Sequence, residues 1–203
     1  RRHTRSLCDW SSDVCSSDLD GFAGSGIVGK YFNKKYGYNV LSNDMEDYSY
    51  ILSYALLKVE YSENIKNLIK ELNSLIKPID ENNYNLITKT YSEKGVNKRK
   101  FWTIKNSEKA DAIIENIKTK LNNKTITENE YIFIMASLLS SLDKYANTTS
   151  VYGAYLKKYK SSSLKDFELK AIHYDKKIIN RGNNKVYNLD VNSETITNNK
   201  YDI

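Results

Sequence analysis

DGFAGSG at residues 20–26 carries the clearest structural signal in this chain. Glycines at this spacing allow a tight turn and let another molecule approach the backbone closely. The apolar residues after Gly26 recur at helical spacing, and Gly37 is a typical helix stop. A short apolar strand at residues 38–41 then leads to Asp44. This order of strand, glycine turn, helix, strand and acid predicts an α/β fold with a ligand site at the carboxyl edge of a parallel sheet.

The glycine segment leaves the kind of ligand open. Gly24, Gly26 and Gly29 match the pattern G-x-G-x-x-G, in which a helix N-terminus faces a pyrophosphate. Nicotinamide and methionine-derived cofactors both fit, and a glycine turn without a ligand is the third possibility. Asp44 and Asp190 each follow a predicted strand, so they are candidates for hydrogen bonds with ribose hydroxyls and with an adenine amino group. Either aspartate could instead cap a helix or lie in a solvated turn.

The middle of the chain predicts a large, mostly helical insert between neighbouring strands. Helical spacing indicates helices at about residues 46–59, 62–76, 107–121 and 128–145. Thr127 and Glu130 form a capping-box pattern at the start of the last one. Residues 79–106 read as irregular and basic. A third strand is expected at 185–190, ending in an acid.

The two ends of the chain differ from its middle. The run DWSSDVCSSDL resembles a translated sequencing adaptor, so residues 1–19 are expected to be extraneous and disordered. The only cysteines, Cys8 and Cys15, lie there, which leaves no cysteine for a disulfide or a metal site. The last residues, 201–203, look like the start of another strand, so the chain is expected to be an internal piece of a longer domain.

These patterns divide the chain into three parts. Residues 1–19 are the extraneous segment. Residues 20–60 and 180–203 are expected to form a cofactor-binding domain. Residues 61–179 form the insert, and an insert of this size is usually functional.

Composition narrows the class of protein. The formal net charge of +6 permits nucleic-acid binding without showing it, and part of the lysine content is attributable to A/T-rich codons. No apolar run approaches the roughly 20 residues of a membrane span, and no signal peptide is visible. We therefore expect a cytoplasmic protein with no membrane partner. His173 has no second ligand near it in the sequence, so no metal site is predicted.

Polar and basic residues of the insert are candidates for contacts with a nucleic acid. Lysine and arginine neutralise phosphates, while amides and hydroxyls reach bases or the backbone. The candidates are Lys98, Arg99, Lys100, Asn147, Thr149, Tyr152, Lys157, Lys158 and Lys160. Any single lysine among them is more often a solvated surface residue.

Three segments together resemble the DNA adenine-N6 methyltransferases of the DNA adenine methylase family. They are DGFAGSGIVGKYF with LSND, then NTTSVYGAYLKK, then NKVYNLDVN, in that family's order. The resemblance implies part of a Rossmann-like methyltransferase sheet, with the insert as the target-recognition region. It implies S-adenosyl-L-methionine as the cofactor, with Asp44 at the ribose and Asp190 near the adenine. The residues implied for the methionine part are Asp20, Phe22, Ala23, Gly24, Ser25 and Gly26.

The resemblance also implies a reaction. Enzymes of this family flip an adenine out of duplex DNA and methylate its N6 atom, often within restriction–modification systems. Their catalytic motif is Asp/Asn-Pro-Pro-Tyr/Phe, whereas this chain has a single proline, Pro78. The motif is expected beyond Ile203, so no catalytic residue is assigned and the chain by itself is expected to be inactive.

Two other functions fit the sequence. One is a non-catalytic DNA-binding remnant of the same fold, and the other is an RNA or small-molecule methyltransferase. A sheet that stops after its third strand also exposes an apolar edge, so the isolated chain is expected to be insoluble or partly molten.

Overall fold

The computed structural model of the chain describes residues 17–149, 153–172, 178 and 181–198. These residues form three short strands, β1 (Ser17–Asp20), β2 (Asn39–Asn43) and β3 (Lys185–Tyr187). They also form seven helices: α1 (Ile27–Tyr36), α2 (Asp47–Leu57), α3 (Glu63–Asn73), α4 (Leu86–Tyr91), α5 (Ile104–Asn122), α6 (Glu128–Tyr145) and α7 (Glu194–Thr197). The chain divides into two compact units, one of residues 1–59 and 175–203 and one of residues 60–174.

The first unit is built on a parallel sheet in the order β1-β2-β3. Helix α1 connects β1 to β2 and ends at Gly37, whose positive φ of 75° lets its N–H return to the carbonyl of Asn33 at 2.9 Å. Strand β2 is buried from Val40 to Asn43, as a central strand should be. The parallel α/β arrangement predicted from the glycine segment is therefore confirmed.

All three strands have boundaries that differ from the sequence expectation, and β2 covers Asn39–Asn43 instead of residues 38–41. Strand β1 begins at Ser17, inside the segment expected to be disordered, and Ser17 pairs with Asn39 while Leu19 pairs with Leu41. Parallel strands pair through backbone groups that every residue carries. The start of β1 is polar, so no apolar pattern predicts a strand there. Strand β3 ends at Tyr187, three residues before Asp190, because the next residues bond to the end of β2 instead of continuing the ladder. Residues 1–16 and 201–203 lie outside the described residues.

The second unit is helical. Its core includes the largest buried side chains of α3, α5 and α6, among them Ile65, Leu72, Ile113, Phe133 and Leu138. The capping box predicted from Thr127 and Glu130 is present at the start of α6, with both reciprocal hydrogen bonds formed.

Helix α4 stands in the stretch expected to be irregular. Its first turn is capped from another helix, because the carboxylate of Asp111 in α5 accepts the N–H groups of Ile87 at 3.1 Å and Thr88 at 2.9 Å. It also accepts the Thr88 hydroxyl at 2.7 Å. A cap supplied from 23 residues away leaves no local pattern in the sequence.

Candidate functional site

The glycine turn lies at the carboxyl end of β1 and opens helix α1. Gly24 and Gly26 have positive φ values of 52° and 71°, which glycine adopts without steric penalty. A Cβ on Gly26 would lie 2.8 Å from the hydroxyl of Ser53 in α2, so this glycine is required by packing. A Cβ on Gly24 would meet no atom within 4 Å. The space beside Gly24 is therefore open to another molecule.

Asp44, one residue past β2, ties the glycine turn to the start of α2. Its Oδ2 atom accepts the N–H of Gly24 at 2.8 Å, and its Oδ1 atom accepts the N–H of Glu46 at 2.9 Å. Burial alone would raise the pKa of the Asp44 carboxyl, but these backbone N–H groups outweigh burial and lower the pKa below its ordinary value. An ionised carboxylate is thus held at the edge of the sheet.

Asn43 joins the loops that follow all three strands, a role that its place in the sequence does not predict. Its backbone carbonyl accepts the N–H of Ala23 at 3.0 Å. Its side-chain amide donates to the carbonyls of Leu189 at 3.0 Å and Gly21 at 3.4 Å, and its Oδ1 accepts the N–H of Leu189 at 3.2 Å. The sequence feature that could have indicated this role is a polar residue at the end of a buried strand.

Asp20, at the end of β1, lies partly buried beneath the turn. Burial raises the pKa of its carboxyl; the N–H of Gly29, which donates to Asp20 Oδ2 at 3.3 Å, opposes this, and the nearby charge of Asp44 adds to the rise. The carboxyl of Asp20 is therefore less acidic in the folded chain than in the unfolded one. A buried acid beside a second carboxylate destabilises the fold and is a common feature of functional sites.

We expect Asp20→Asn to stabilise the fold at pH 7. Because the folded pKa is raised, the folded chain holds the proton more tightly, so stability falls as pH rises from the ordinary pKa of 3.8 through the folded value. Removing the charge should flatten that decline, and because solvent screens a half-exposed carboxyl the gain in stability at pH 7 should be small, below about 1 kcal/mol. Urea unfolding at several pH values measures this, with the exposed Asp190→Asn as the control. A less stable Asp20→Asn at pH 7 would contradict the electrostatic reading.

Asp190 lies in the loop after β3 and is exposed. Its Oδ1 atom accepts the backbone N–H of Asn192 at 2.9 Å and the side-chain amide of the same residue at 3.1 Å. This is a local turn, although the loop that carries it is fastened to the site, since Asn188 donates to the carbonyl of Asp44 at 3.0 Å.

The other predicted cofactor residues lie on the same turn with different exposure. Ala23 is buried, Ser25 is exposed, and the ring of Phe22 is 79% exposed. An aromatic ring left in solvent beside an open backbone is a surface on which a ligand could pack.

The predicted DNA contacts fall into two groups. Asn147 is buried, and its side chain serves its own loop by donating to Leu156 O at 2.9 Å and accepting the N–H of Lys160 at 3.0 Å. The ammonium of Lys160 donates to Thr148 O, and that of Lys100 pairs with Glu93 at 3.1 Å. These three side chains shape the insert. The exposed or partly exposed candidates are Lys98, Arg99, Thr149, Lys157 and Lys158, and Tyr152 lies outside the described residues.

The family model for D12 class N6 adenine-specific DNA methyltransferases matches residues 13–203. The chain belongs to this family. The match confirms the resemblance carried by the glycine turn, Asp44 and the loops after α6 and β3. The match begins at residue 13, inside the segment 1–19 that was expected to be extraneous.

The relatives of this D12-class chain carry names of restriction–modification enzymes. It is 36% identical over 183 residues to the type II methyltransferase M.NlaIII of Neisseria lactamica, covering 89% of the chain and 51% of that protein. It is 37% identical over 164 residues to the type II methyltransferase M.CviAII of Paramecium bursaria Chlorella virus 1, covering 80% and 48%. The modification methylase StsI of Streptococcus sanguinis is 32% identical over 179 residues, covering 86% and 26%. The chain thus spans about half the length of the first two, and no solved structure matches it.

Two further observations concern the described part of this D12-class chain. Its helices include none with the length and apolar composition that a bilayer crossing requires. Its His, Cys, Asp and Glu side chains form no group of three or more that could hold a metal ion.

Proposed function

We propose that the chain is the cofactor-binding and target-reading part of a site-specific DNA methyltransferase. The proposed reaction transfers the methyl group of S-adenosyl-L-methionine to N6 of adenine in double-stranded DNA, within a restriction–modification system. The observation that carries the proposal is the meeting of Asp44 and Gly24 at the carboxyl edge of a parallel sheet, next to open space. In open α/β sheets this edge is where ligands bind.

The residues at this edge fit the proposed cofactor. The molecule carries a carboxylate, an ammonium group, a sulfonium group and a ribose with two hydroxyls. First-turn N–H groups of α1, such as those of Ile27 and Val28, have no acceptor within the helix and suit the carboxylate. Asp20 and Asp44 supply the negative charge that suits the cationic end and the ribose hydroxyls. When bound, the cofactor supplies an electrophilic methyl group, while these side chains bind and orient it.

The remaining predicted cofactor residues would make additional contacts with the cofactor. Phe22 offers an exposed ring to the methionine part, and Ser25 offers a hydroxyl from the same turn. Asp190 would turn from Asn192 toward the adenine amino group. Asn43 would act as a positioning residue, since it fixes the loops that carry these groups.

The proposed fold assignment follows the two compact units. Residues 20–60 and 180–203 would belong to a Rossmann-like methyltransferase sheet, now extended to Ser17 at its start. Residues 61–179 would be the helical insert that reads the target. Its exposed cations, Lys98, Arg99, Lys157 and Lys158, would bind phosphates, and Thr149 would reach the backbone or a base. The proposed location of this methyltransferase activity is the cytoplasm.

A methyl-transfer assay tests the proposal. The complete gene product that contains this chain would be incubated with isotopically labelled S-adenosyl-L-methionine and either unmethylated DNA of mixed sequence or RNA, and the modified bases identified by mass spectrometry. We expect N6-methyladenine in DNA and none in RNA, and we expect Asp44→Ala to remove it. Cofactor binding without methylation of adenine in any DNA, or methylation of RNA alone, would overturn the proposal.

A further inference from the structure

A short loop of the second unit, between α4 and α5, is closed at its base. The backbone N–H groups of Phe101 and Trp102 both point at the carbonyl of Tyr91, at 3.1 and 3.4 Å. Both aromatic side chains are buried, and the indole N–H of Trp102 donates to Leu142 O in α6 at 2.9 Å. The stem of the loop is therefore part of the core.

The loop is also fixed from within. A Cβ on Gly95 would lie 1.8 Å from the carbonyl oxygen of Lys89, so the chain passes too close to α4 for any other residue. The N–H of Lys98 donates to Gly95 O at 2.9 Å, and Lys98 itself has a positive φ of 43°. That conformation is unfavourable for lysine, and strained residues of this kind are frequent at binding sites.

Ion pairs stabilise the two flanks of the loop and neutralise the lysines there. Lys94 pairs with Glu108 at 2.7 Å and with Glu81 at 3.5 Å. Lys100 pairs with Glu93, whose second oxygen accepts the hydroxyl of Tyr159 at 3.2 Å. Within the described residues no such acidic partner is found for Lys98 or Arg99. The uncompensated positive charge of the loop is therefore concentrated between its flanks.

The four residues there, 96–99, form what we call the 96–99 tip. Val96 is 90% exposed, Asn97 and Lys98 are exposed, and Arg99 is partly exposed. A single exposed valine is ordinary on a protein surface. The rigid turn exposes Val96 next to two cations that have no acidic partner in the described part of the chain. This arrangement suits a partner with an anionic surface and an apolar interior. Duplex DNA has that chemistry, because apolar side chains can enter between stacked base pairs while cations bind the flanking phosphates.

We propose that the 96–99 tip contacts duplex DNA by inserting Val96 at a base step, with Lys98 and Arg99 on the adjacent phosphates. This inference rests on the proposed DNA substrate and adds a named element that opens the duplex. Unstacking one step lowers the work needed to extrude a neighbouring base. Asn97, next to Val96, is placed to offer its amide to a base edge.

The chain supplies matched controls for both parts of the tip. Lys124, in the turn between α5 and α6, is an exposed lysine with a positive φ of 56°. Lys124→Ala therefore removes the same charge as Lys98→Ala, also from a residue with positive φ. Ile79 is 97% exposed, so Ile79→Ser is the counterpart of Val96→Ser.

The experiment measures binding of the complete gene product that contains this chain to a mixed-sequence duplex with 2-aminopurine, whose fluorescence rises when it is unstacked. Anisotropy at several salt concentrations gives the salt slope of the binding constant. We expect Lys98→Ala to reduce that slope by about 0.9, the value for one phosphate contact. We expect Val96→Ser to keep the slope, lose the fluorescence rise and weaken binding about tenfold. Thermal melts check that all four variants are folded.

The possible outcomes test the role of the 96–99 tip and the methyltransferase proposal separately. Control variants that behave like wild type, while the tip variants change as stated, support it. Tip variants that match Lys124→Ala and Ile79→Ser overturn the role of the tip and leave the methyltransferase proposal standing. A wild-type chain that binds RNA or acidic protein surfaces but no duplex overturns both.

Discussion

Replacing Gly24 with alanine is expected to lower the affinity for S-adenosyl-L-methionine about tenfold while leaving the fold nearly intact. The new Cβ would meet no protein atom within 4 Å, so the folding penalty is limited to the positive φ, about 1 kcal/mol. The same methyl group would occupy the space proposed for the cofactor, and a steric conflict of this size is worth about 1–3 kcal/mol of binding. Titration calorimetry measures the affinity, and urea unfolding measures the fold.

Gly26→Ala is the matched comparison two residues away. Its Cβ would lie 2.8 Å from Ser53 Oγ and 3.0 Å from Ser53 Cα, in addition to a positive φ. The expected loss is about 3 kcal/mol of folding free energy. Gly24 would lose binding, whereas Gly26 would lose stability. Equal effects of the two substitutions on both measurements would contradict the assignment of open space to Gly24 alone.

Asp111→Ala is expected to destabilise the helical unit by about 3 kcal/mol. The buried carboxylate accepts two backbone N–H groups and one hydroxyl at the start of α4, and its removal leaves Ile87 and Thr88 without their acceptor. Urea unfolding followed by circular dichroism measures the loss.

Asp166→Ala is the control for Asp111. Asp166 is exposed and pairs only with the exposed Lys105 in the ion pairs described, so the expected change is below about 0.5 kcal/mol. A loss at Asp111 as small as that at Asp166 would show that α4 does not depend on its cap from α5.

The sequence predicts those parts of the site that depend on neighbouring residues. The glycine turn, the stop at Gly37 and the acid after β2 each follow from local backbone chemistry, and the structure brings Gly24 and Asp44 into contact. The family could be recognised for the same reason, because the segments that carry the resemblance are short and occur in the family's order.

Features that depend on distant residues were not predictable. Asn43 owes its place to bonds with Leu189, 146 residues away, and α4 owes its first turn to Asp111. Asn147 was predicted to contact DNA, but its side chain is buried and hydrogen-bonded within its own loop. The sequence alone does not distinguish these two roles of an asparagine, because they differ in burial. The start of β1 was missed because backbone pairing needs no apolar residue.

The most direct test of the cofactor site is an amide chemical-shift titration of the isotope-labelled complete gene product with S-adenosyl-L-methionine. We expect the largest shifts at Gly24, Gly26 and the side-chain amide of Asn43, with Lys124 in the helical unit unchanged. A folded chain whose Gly24 and Asn43 signals stay still at saturating cofactor would contradict a binding site at the carboxyl edge of the sheet.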